Sequence, residues 1–287
     1  MPEKIINVMA MIDFIEDHLY ERLDLDTLAR AMHYSKYHMH RRFGETVGVT
    51  VHDYIKRRRL TEAARLLVFT NRPILEIALA AGYESQQAFT AIFREMYKKT
   101  PLQYRADEEF YPLQLRFVLN AKPSYPSAED WTERMTFAVE ADIPRWLALV
   151  QLVVDGFPHF REDDFEDALR AGIRRREALM LEDGALVVGV MLLNRWAGSI
   201  DFLGVHPQYR KKGIARAFLR KAGELCGPGE LWITTFRQGD RADTGWRQAI
   251  KALGFTEAEL LTEFGYPTQK MVMGRVENPD RSGEVGP

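Results

Sequence analysis

Residues 203–216 read Leu-Gly-Val-His-Pro-Gln-Tyr-Arg-Lys-Lys-Gly-Ile-Ala-Arg, a combination suited to capturing an anion. An apolar, strand-like run ends near Val205 and helical spacing begins near Gly213, so the basic turn stands at a helix start. Backbone N–H groups there lack intrahelical partners and the helix dipole is positive, so a phosphate can be held by amides as well as by side chains. Lys211, Lys212 and Arg216 add charge, and Gly213 lets the backbone come close to a ligand. The strand before and the helix after give the Arg-x-x-Gly-x-Ala pattern (Arg210, Gly213, Ala215) its weight. Upstream, Asp201 alternates onto the same strand face as Leu203 and Val205, where it can serve as a base or simply be a solvated strand residue. His206 titrates in a useful range by type, but before Pro207 in a turn it reads as structural. Cys226, the single cysteine, reads as a packing residue at a helix end. Phe157, His159 and Phe160 precede a run of acids from Glu162 to Asp167. That segment suits a cationic amine, or its acids simply complement a helix start.

A second chemistry comes from a duplication. Leu28, Ala29 and Tyr34 correspond to Ile77, Ala78 and Tyr83 at an offset of 49. Glu84 then adds one residue to the turn, and Ser35, Met39, Phe43, Thr50 and Tyr54 match Ser85, Phe89, Phe93, Thr100 and Tyr104 at an offset of 50. Each copy is a short helix, a turn and a second helix opened by serine, the layout of a helix-turn-helix. In the first copy Met39 and Phe43 face inward, leaving Lys36, Tyr37, His40 and Arg41 to reach bases or phosphates. In the second, Phe89 and Phe93 face inward and Gln86, Gln87 and Thr90 face out; Gln suits adenine edges. The run Lys56-Arg57-Arg58-Arg59 on the joining helix reads as a solvated face within reach of phosphate.

Of 287 residues, 46% are hydrophobic and 28% charged, normal for a globular protein with real cores, and the length suggests two domains. Net charge is −2, which by itself does not mark a nucleic-acid binder. The halves differ: residues 1–106 hold 16 Lys+Arg against 13 Asp+Glu, and residues 107–287 hold 23 against 28, so the duplicated half is the basic one. One cysteine excludes a disulfide framework, no segment resembles a secretory signal, and no apolar run reaches the ~18–20 residues of a membrane span. A soluble intracellular protein, with no membrane partner and no metal site, is expected.

The spacing predicts an all-α first domain over residues 1–106, a connection over 107–133 packed through Phe110, Tyr111 and Phe117, an α/β domain over 134–276 and a tail over 277–287. In the α/β domain, 135–139, 185–193, 199–205, 231–236, 257–264 and 269–276 read as strands. Segments 143–154, 165–179, 213–225 and 245–253 read as helices, and Trp196 and Trp246 as core.

Residues 5–106 resemble the DNA-binding domain of the AraC/XylS family of bacterial transcription regulators. The resemblance rests on Thr70-Asn71-Arg72-Pro73-Ile74, Ile77-Ala78, Gly82-Tyr83-Glu84-Ser85-Gln86-Gln87, Phe93 and Thr100-Pro101. It implies seven helices, two recognition helices joined by a long one, and base-facing roles for Tyr37, His40, Arg41, Gln86 and Gln87. Ala91 stands where several relatives carry arginine, which implies a weaker hold by the second helix. Residues 203–215, with Ala252-Leu253-Gly254-Phe255 later, are similar to the acetyl-CoA-binding motif of the GNAT acetyltransferase superfamily. That resemblance implies that amides of Lys211, Lys212, Gly213, Ile214 and Ala215, beside Arg210, hold the pyrophosphate, and that backbone groups of Leu203 and Val205 meet the pantetheine arm. Ile250 occupies the position where many relatives have a catalytic tyrosine. Together the resemblances imply a cytoplasmic, nucleoid-associated bacterial regulator. Its partners would be double-stranded operator DNA, acetyl-CoA, a small amine or other effector, and RNA polymerase. The GNAT part would either N-acetylate the amine or only sense a ligand.

Overall fold

The computed structural model describes residues 2–21, 23, 25–125, 128–153, 162–263 and 266–274. The first half comprises α1 (Pro2–Asp17), α2 (Leu25–Ala31), α3 (Lys36–Val47), α4 (Val51–Phe69), α5 (Ile74–Ala80), α6 (Gln86–Tyr97) and α7 (Pro101–Asp107). These are the seven helices that the resemblance implies. The duplication is visible in the backbone. His33 (φ 54°) and Gly82 (φ 84°) both take the left-handed conformation in equivalent turns. Tyr34 N–H donates to Ala29 O at 2.9 Å, and Tyr83 N–H to Ala78 O at 3.0 Å. Each unit has its own core. Met39 and Phe43 close the first with Val51 and Tyr54; Phe89 and Phe93 close the second with Leu60, Ala64 and Leu67. Helix α4 thus carries one end of each core and fixes the two units relative to each other.

The arginines on α4 are not a solvated face. Arg57 and Arg58 are 3% and 7% exposed. Arg58 donates to Glu16 (2.8 and 2.7 Å) and to Gln114 O (3.1 Å), and Arg57 to Leu113 O (3.1 Å) and Ala242 O (3.2 Å). Arg59 donates to Leu19 O and Glu21 O. Arg57 and Arg58 lie on the side of α4 that the later chain covers, and their guanidiniums satisfy carbonyls there that would otherwise be buried without partners. Burial alone would raise the Glu16 carboxyl; hydrogen bonds from Arg58 and Tyr54 hold it below its usual range.

Residues 108–125 form an extended strap along this surface. Thr61 Oγ1 accepts from both Leu113 N–H and Gln114 N–H at 3.0 Å. Tyr111 and Leu113 complete the second core, with Phe110 packed beside them, and Phe117 and Leu119 complete the first. The strap continues onto the second half, where Ser124 binds Asp183 through its N–H (2.8 Å) and hydroxyl (2.6 Å). Helix α8 (Ala128–Glu133) then delivers Trp131 into the second half's core.

The second half is one sheet in the order β1-β2-β3-β4-β5-β7-β6, antiparallel except between β4 and β5. The strands are β1 (Thr136–Phe137), β2 (Ala178–Asp183), β3 (Leu186–Asn194), β4 (Ser199–Val205), β5 (Leu231–Phe236), β6 (Thr256–Glu263) and β7 (Tyr266–Met273). One face is covered by α8, α11 (Ile214–Cys226) and α12 (Trp246–Ala252), the other by α9 (Ile143–Val153) and α10 (Glu162–Arg175).

Three expectations fail here for physical reasons. The helix read over 165–179 ends at Arg175, because Arg176 turns left-handed (φ 56°) and Glu177 N–H closes onto Gly172 O at 2.8 Å. Ala178-Leu179-Met180-Leu181, good helix formers by propensity, become β2 because pairing with β3 buries them. The strand read over 135–139 pairs only at Thr136 and Phe137. Trp196 is 94% exposed at the β3–β4 turn rather than core, whereas Trp246 packs against the core as expected.

Candidate functional site

The two recognition helices are built alike. Ser35 Oγ accepts from His38 N–H (3.3 Å) to start α3, and Ser85 Oγ accepts from Ala88 N–H (3.2 Å) to start α6. With Met39, Phe43, Phe89 and Phe93 fully buried, the opposite faces are fixed outward. On α3, Lys36, Tyr37 and Arg41 are exposed and His40 half-buried. Tyr37 is 70% exposed, the Arg41 guanidinium lies 5.8 Å from its ring centre, and Lys36 Nζ lies 2.6 Å from Asp26 Oδ1. On α6, Gln86 and Gln87 are exposed and Thr90 half-buried, and Ala91 is exposed, so the missing arginine is missing from the outer face. Arg94, also exposed, continues the stripe of Gln87 and Ala91 at helical spacing. The sequence reading passed over it because it lies beyond the first turns. Helix α4 has 19 residues; at ~1.5 Å per residue it is about 28 Å long, the order of one DNA turn at ~34 Å.

In the second half the basic turn joins β4 to α11. Lys211 (φ 62°) and Gly213 (φ 88°) are both left-handed, and Gly213 caps α11 without any side-chain hydrogen bond to the first-turn amides. A helix start whose capping residue has no side chain is one where an anion can take the capping role. Trp131 Nε1 donates to Lys212 O at 2.9 Å and fixes the turn from behind, while Lys212 Nζ sits 4.7 Å from the centre of Tyr125. Trp131 was not singled out from the sequence, because its partner lies 81 residues away.

The opening beside this turn comes from the sheet. Strands β4 and β5 share the single register pair Ser199–Trp232 near their starts, and no further ladder pairing joins them towards Val205. His206 N–H donates to Val188 O on β3. By strand alternation Leu203 and Val205 therefore turn their peptide groups the other way, towards the gap. A group with phosphates for the turn and an amide-bearing arm for the gap fits these residues.

Asp201 is not on the face of Leu203 and Val205. The register against β3 slips between Leu192–Phe202 and Leu193–Ile200, so Asp201 is the extra residue of a bulge. Ile200, Leu203 and Val205 all join the core under α11, while Phe202 packs on the other face with Phe165. Asp201 accepts from Ser199 Oγ at 2.6 Å, which places it opposite Ile200. Desolvation raises its carboxyl above the usual range against the Ser199 hydrogen bond; Glu177 and Glu263 push the same way as desolvation and Arg175 opposes. Ile250 is fully buried in the α11-side core.

His206 is 1% exposed, with Nε2 2.9 Å from Val118 O and Nδ1 accepting from Gln208 N–H at 3.3 Å. Burial pushes it down to about 4, so the ring is neutral with its proton on Nε2. Its folded pKa lies below the ordinary 6.5, so its contribution to stability is full above 6.5 and is lost as pH falls towards 4. Unfolding midpoints of the wild type should therefore fall more steeply with acidification than those of His206→Asn, by up to about 3 kcal/mol across that window. Parallel pH profiles would contradict this role. Tyr209, also buried, donates to Asp183 at 2.6 Å and accepts from Asn120 at 3.0 Å, so it is committed to holding the strap.

The aromatic segment 157–160 lies outside the described residues. A groove of about 410 Å³ between α9 and α10, lined by Leu147, Gln151, Glu166 and Arg170 among others, is lined by neither strand of the β4–β5 opening. Among the described residues no His/Cys/Asp/Glu group is arranged to hold a metal, and no helix is long and apolar enough to cross a membrane.

Residues 28–107 match the family described as "Helix-turn-helix domain", and residues 146–242 the "Acetyltransferase (GNAT) family". The chain is 40% identical over 98 residues to the regulatory protein SoxS of Escherichia coli (strain K12), covering 34% of this chain and 92% of that protein. It is 42% identical over 98 residues to the uncharacterized HTH-type transcriptional regulator YbfP of Bacillus subtilis (strain 168), covering 34% of this chain and 33% of that one. It is 39% identical over 109 residues to the right origin-binding protein of Escherichia coli (strain K12), covering 38% of each. The chain thus matches only about a third of the length of these last two relatives.

Proposed function

We propose, from the premise that this chain belongs to the AraC-type helix-turn-helix family and joins to that domain one of the GNAT acetyltransferase family, that it is a sequence-specific transcription regulator whose second half binds acetyl-CoA and acetylates a small amine. The observation that carries the DNA part is the pair of serine-capped helices whose outward polar faces are held on one rigid helix, α4. Lys36, Arg41 and Arg94 supply phosphate contacts, and Tyr37, His40, Gln86, Gln87 and Thr90 read base edges.

For the second half, the α11 amides with Lys211 and Lys212 bind the pyrophosphate, and the peptide groups of Leu203 and Val205 line the arm's path. Acetyl-CoA supplies an activated thioester carbonyl. The amine nitrogen forms a bond to that carbon, the C–S bond breaks, one proton leaves the nitrogen and one returns to the thiolate. Asp201, with its raised pKa and its place on the α9–α10 face, takes the proton from nitrogen. Acetyl transfer to a panel of small amines should fall about tenfold or more in Asp201→Asn while the KM for acetyl-CoA holds. Equal rates in the two proteins would remove Asp201 from the chemistry.

One observation favours a second reading, a non-catalytic ligand sensor: the position that would carry the leaving-group acid holds Ile250, buried in the core. A folded protein that binds acetyl-CoA and acetylates none of the panel would establish that alternative.

A further inference from the structure

The two seams between the halves straddle the opening of the sheet. At the end of β4, the turn Pro207–Tyr209 packs against α3. Arg210 lies over Gly48, the residue that caps α3, with its Cδ and Nη1 each 3.4 Å from where a Cβ on Gly48 would stand. Gln208 and His206 in the same turn bind the strap at Asn120 and Val118. At the end of β5, the following loop grips the second unit. Lys98, which caps α6, places Nζ 2.9 Å from Asp240 Oδ1. Arg241 Nε lies 2.9 Å from Glu95 Oε1, and Arg57 on α4 donates to Ala242 O at 3.2 Å.

The β4 end therefore holds the C-terminal end of one recognition helix, and the loop after β5 holds the C-terminal end of the other. Between these grips β4 and β5 share only the register pair Ser199–Trp232, at their opposite ends. Both grips act at helix ends remote from Lys36, Tyr37, Gln86 and Gln87, which stand in the first turns. The reading faces stay clear while the second half sets how the two helices are seated.

We infer that acetyl-CoA is itself an effector of DNA binding. Seated in the β4–β5 opening, it sets the separation of the two strand ends and with it the seating of the two recognition helices. The inference rests on the acetyl-CoA reading above and adds a regulatory role that transfer alone would not require. Its sign follows from the strand ends. The arm spreads them, each carries the recognition helix it grips, and the two helices leave the spacing of successive major grooves. That weakens DNA binding, and linkage requires DNA to weaken acetyl-CoA binding by the same factor.

The test uses the full-length protein, acetyl-CoA, and a duplex selected from random sequence by that protein. Saturating acetyl-CoA should raise the Kd for the duplex about fivefold or more, and saturating duplex should raise the Kd for acetyl-CoA equally. Inorganic tripolyphosphate at the same concentration should not reproduce the effect, since it lacks the arm that enters the opening. The double variant Lys98→Asn/Arg241→Ala releases the second grip without touching the phosphate turn. It should keep its acetyl-CoA affinity within about twofold while the coupling factor falls towards one. Acetyl-CoA binding with an unchanged Kd for DNA, a full effect from tripolyphosphate, or full coupling in the double variant would overturn the inference. Absence of acetyl-CoA binding by the folded wild type would instead overturn the acetyl-CoA reading itself, and it is visible before any DNA is added.

Discussion

Gly213→Trp should abolish measurable acetyl-CoA binding while leaving the chain folded. Gly213 caps α11 at φ 88°, and Lys211, two residues before it, is left-handed too, so the backbone curls sharply at the helix start. An indole at that position covers the open first turn of α11 and removes the approach that a pyrophosphate needs. The residue is only partly buried, at a surface turn, so the core of Ile214, Phe218 and Trp131 stays assembled. The expected loss is about 100-fold or more, equivalent to about 2.7 kcal/mol. Titration calorimetry would measure it, with far-ultraviolet circular dichroism to confirm folding. Undiminished binding in a folded variant would place the ligand elsewhere.

Gln86→Ala/Gln87→Ala should cost specificity rather than adhesion. Both amides are exposed in the first turn of α6, where Ser85 caps the helix and Phe89 and Phe93 lock its rotation. A bidentate amide–adenine contact discriminates by about 1–3 kcal/mol, so losing two should weaken preferred DNA by about 2 kcal/mol or more, roughly 30-fold. Affinity for unrelated DNA comes from phosphate contacts and should hold at constant salt. Competitive fluorescence anisotropy on the two DNAs separates the effects, and an equal loss on both would remove the glutamines from base reading.

What could be read in advance was whatever is written locally. The duplicated turns, the serine caps and the inward aromatics repeat within short windows, and the structure places Ser35, Ser85, Met39, Phe43, Phe89 and Phe93 in matching roles. The basic turn between strand and helix was legible for the same reason. The misreadings depended on pairing and turns that the pattern of residue types alone does not reveal. Arg57 and Arg58 look solvated until a strap some 56 residues later supplies its carbonyls. Ala178 and Leu179 read as the end of a helix until β3 pairs with them. Asp201 changes face because of a bulge set by its register with β3. Trp196 is exposed because a turn, not the sheet, carries it.

The central claim is that two linked helices read DNA from one chain, and selection of duplexes from random sequence by the full-length protein tests it most directly. Recovered sequences should contain two short preferred blocks about 10 base pairs apart, one for each recognition helix on successive major grooves. In Gln86→Ala/Gln87→Ala one block should fade and the other persist. A single block, or recovery with no preferred sequence, would contradict the account.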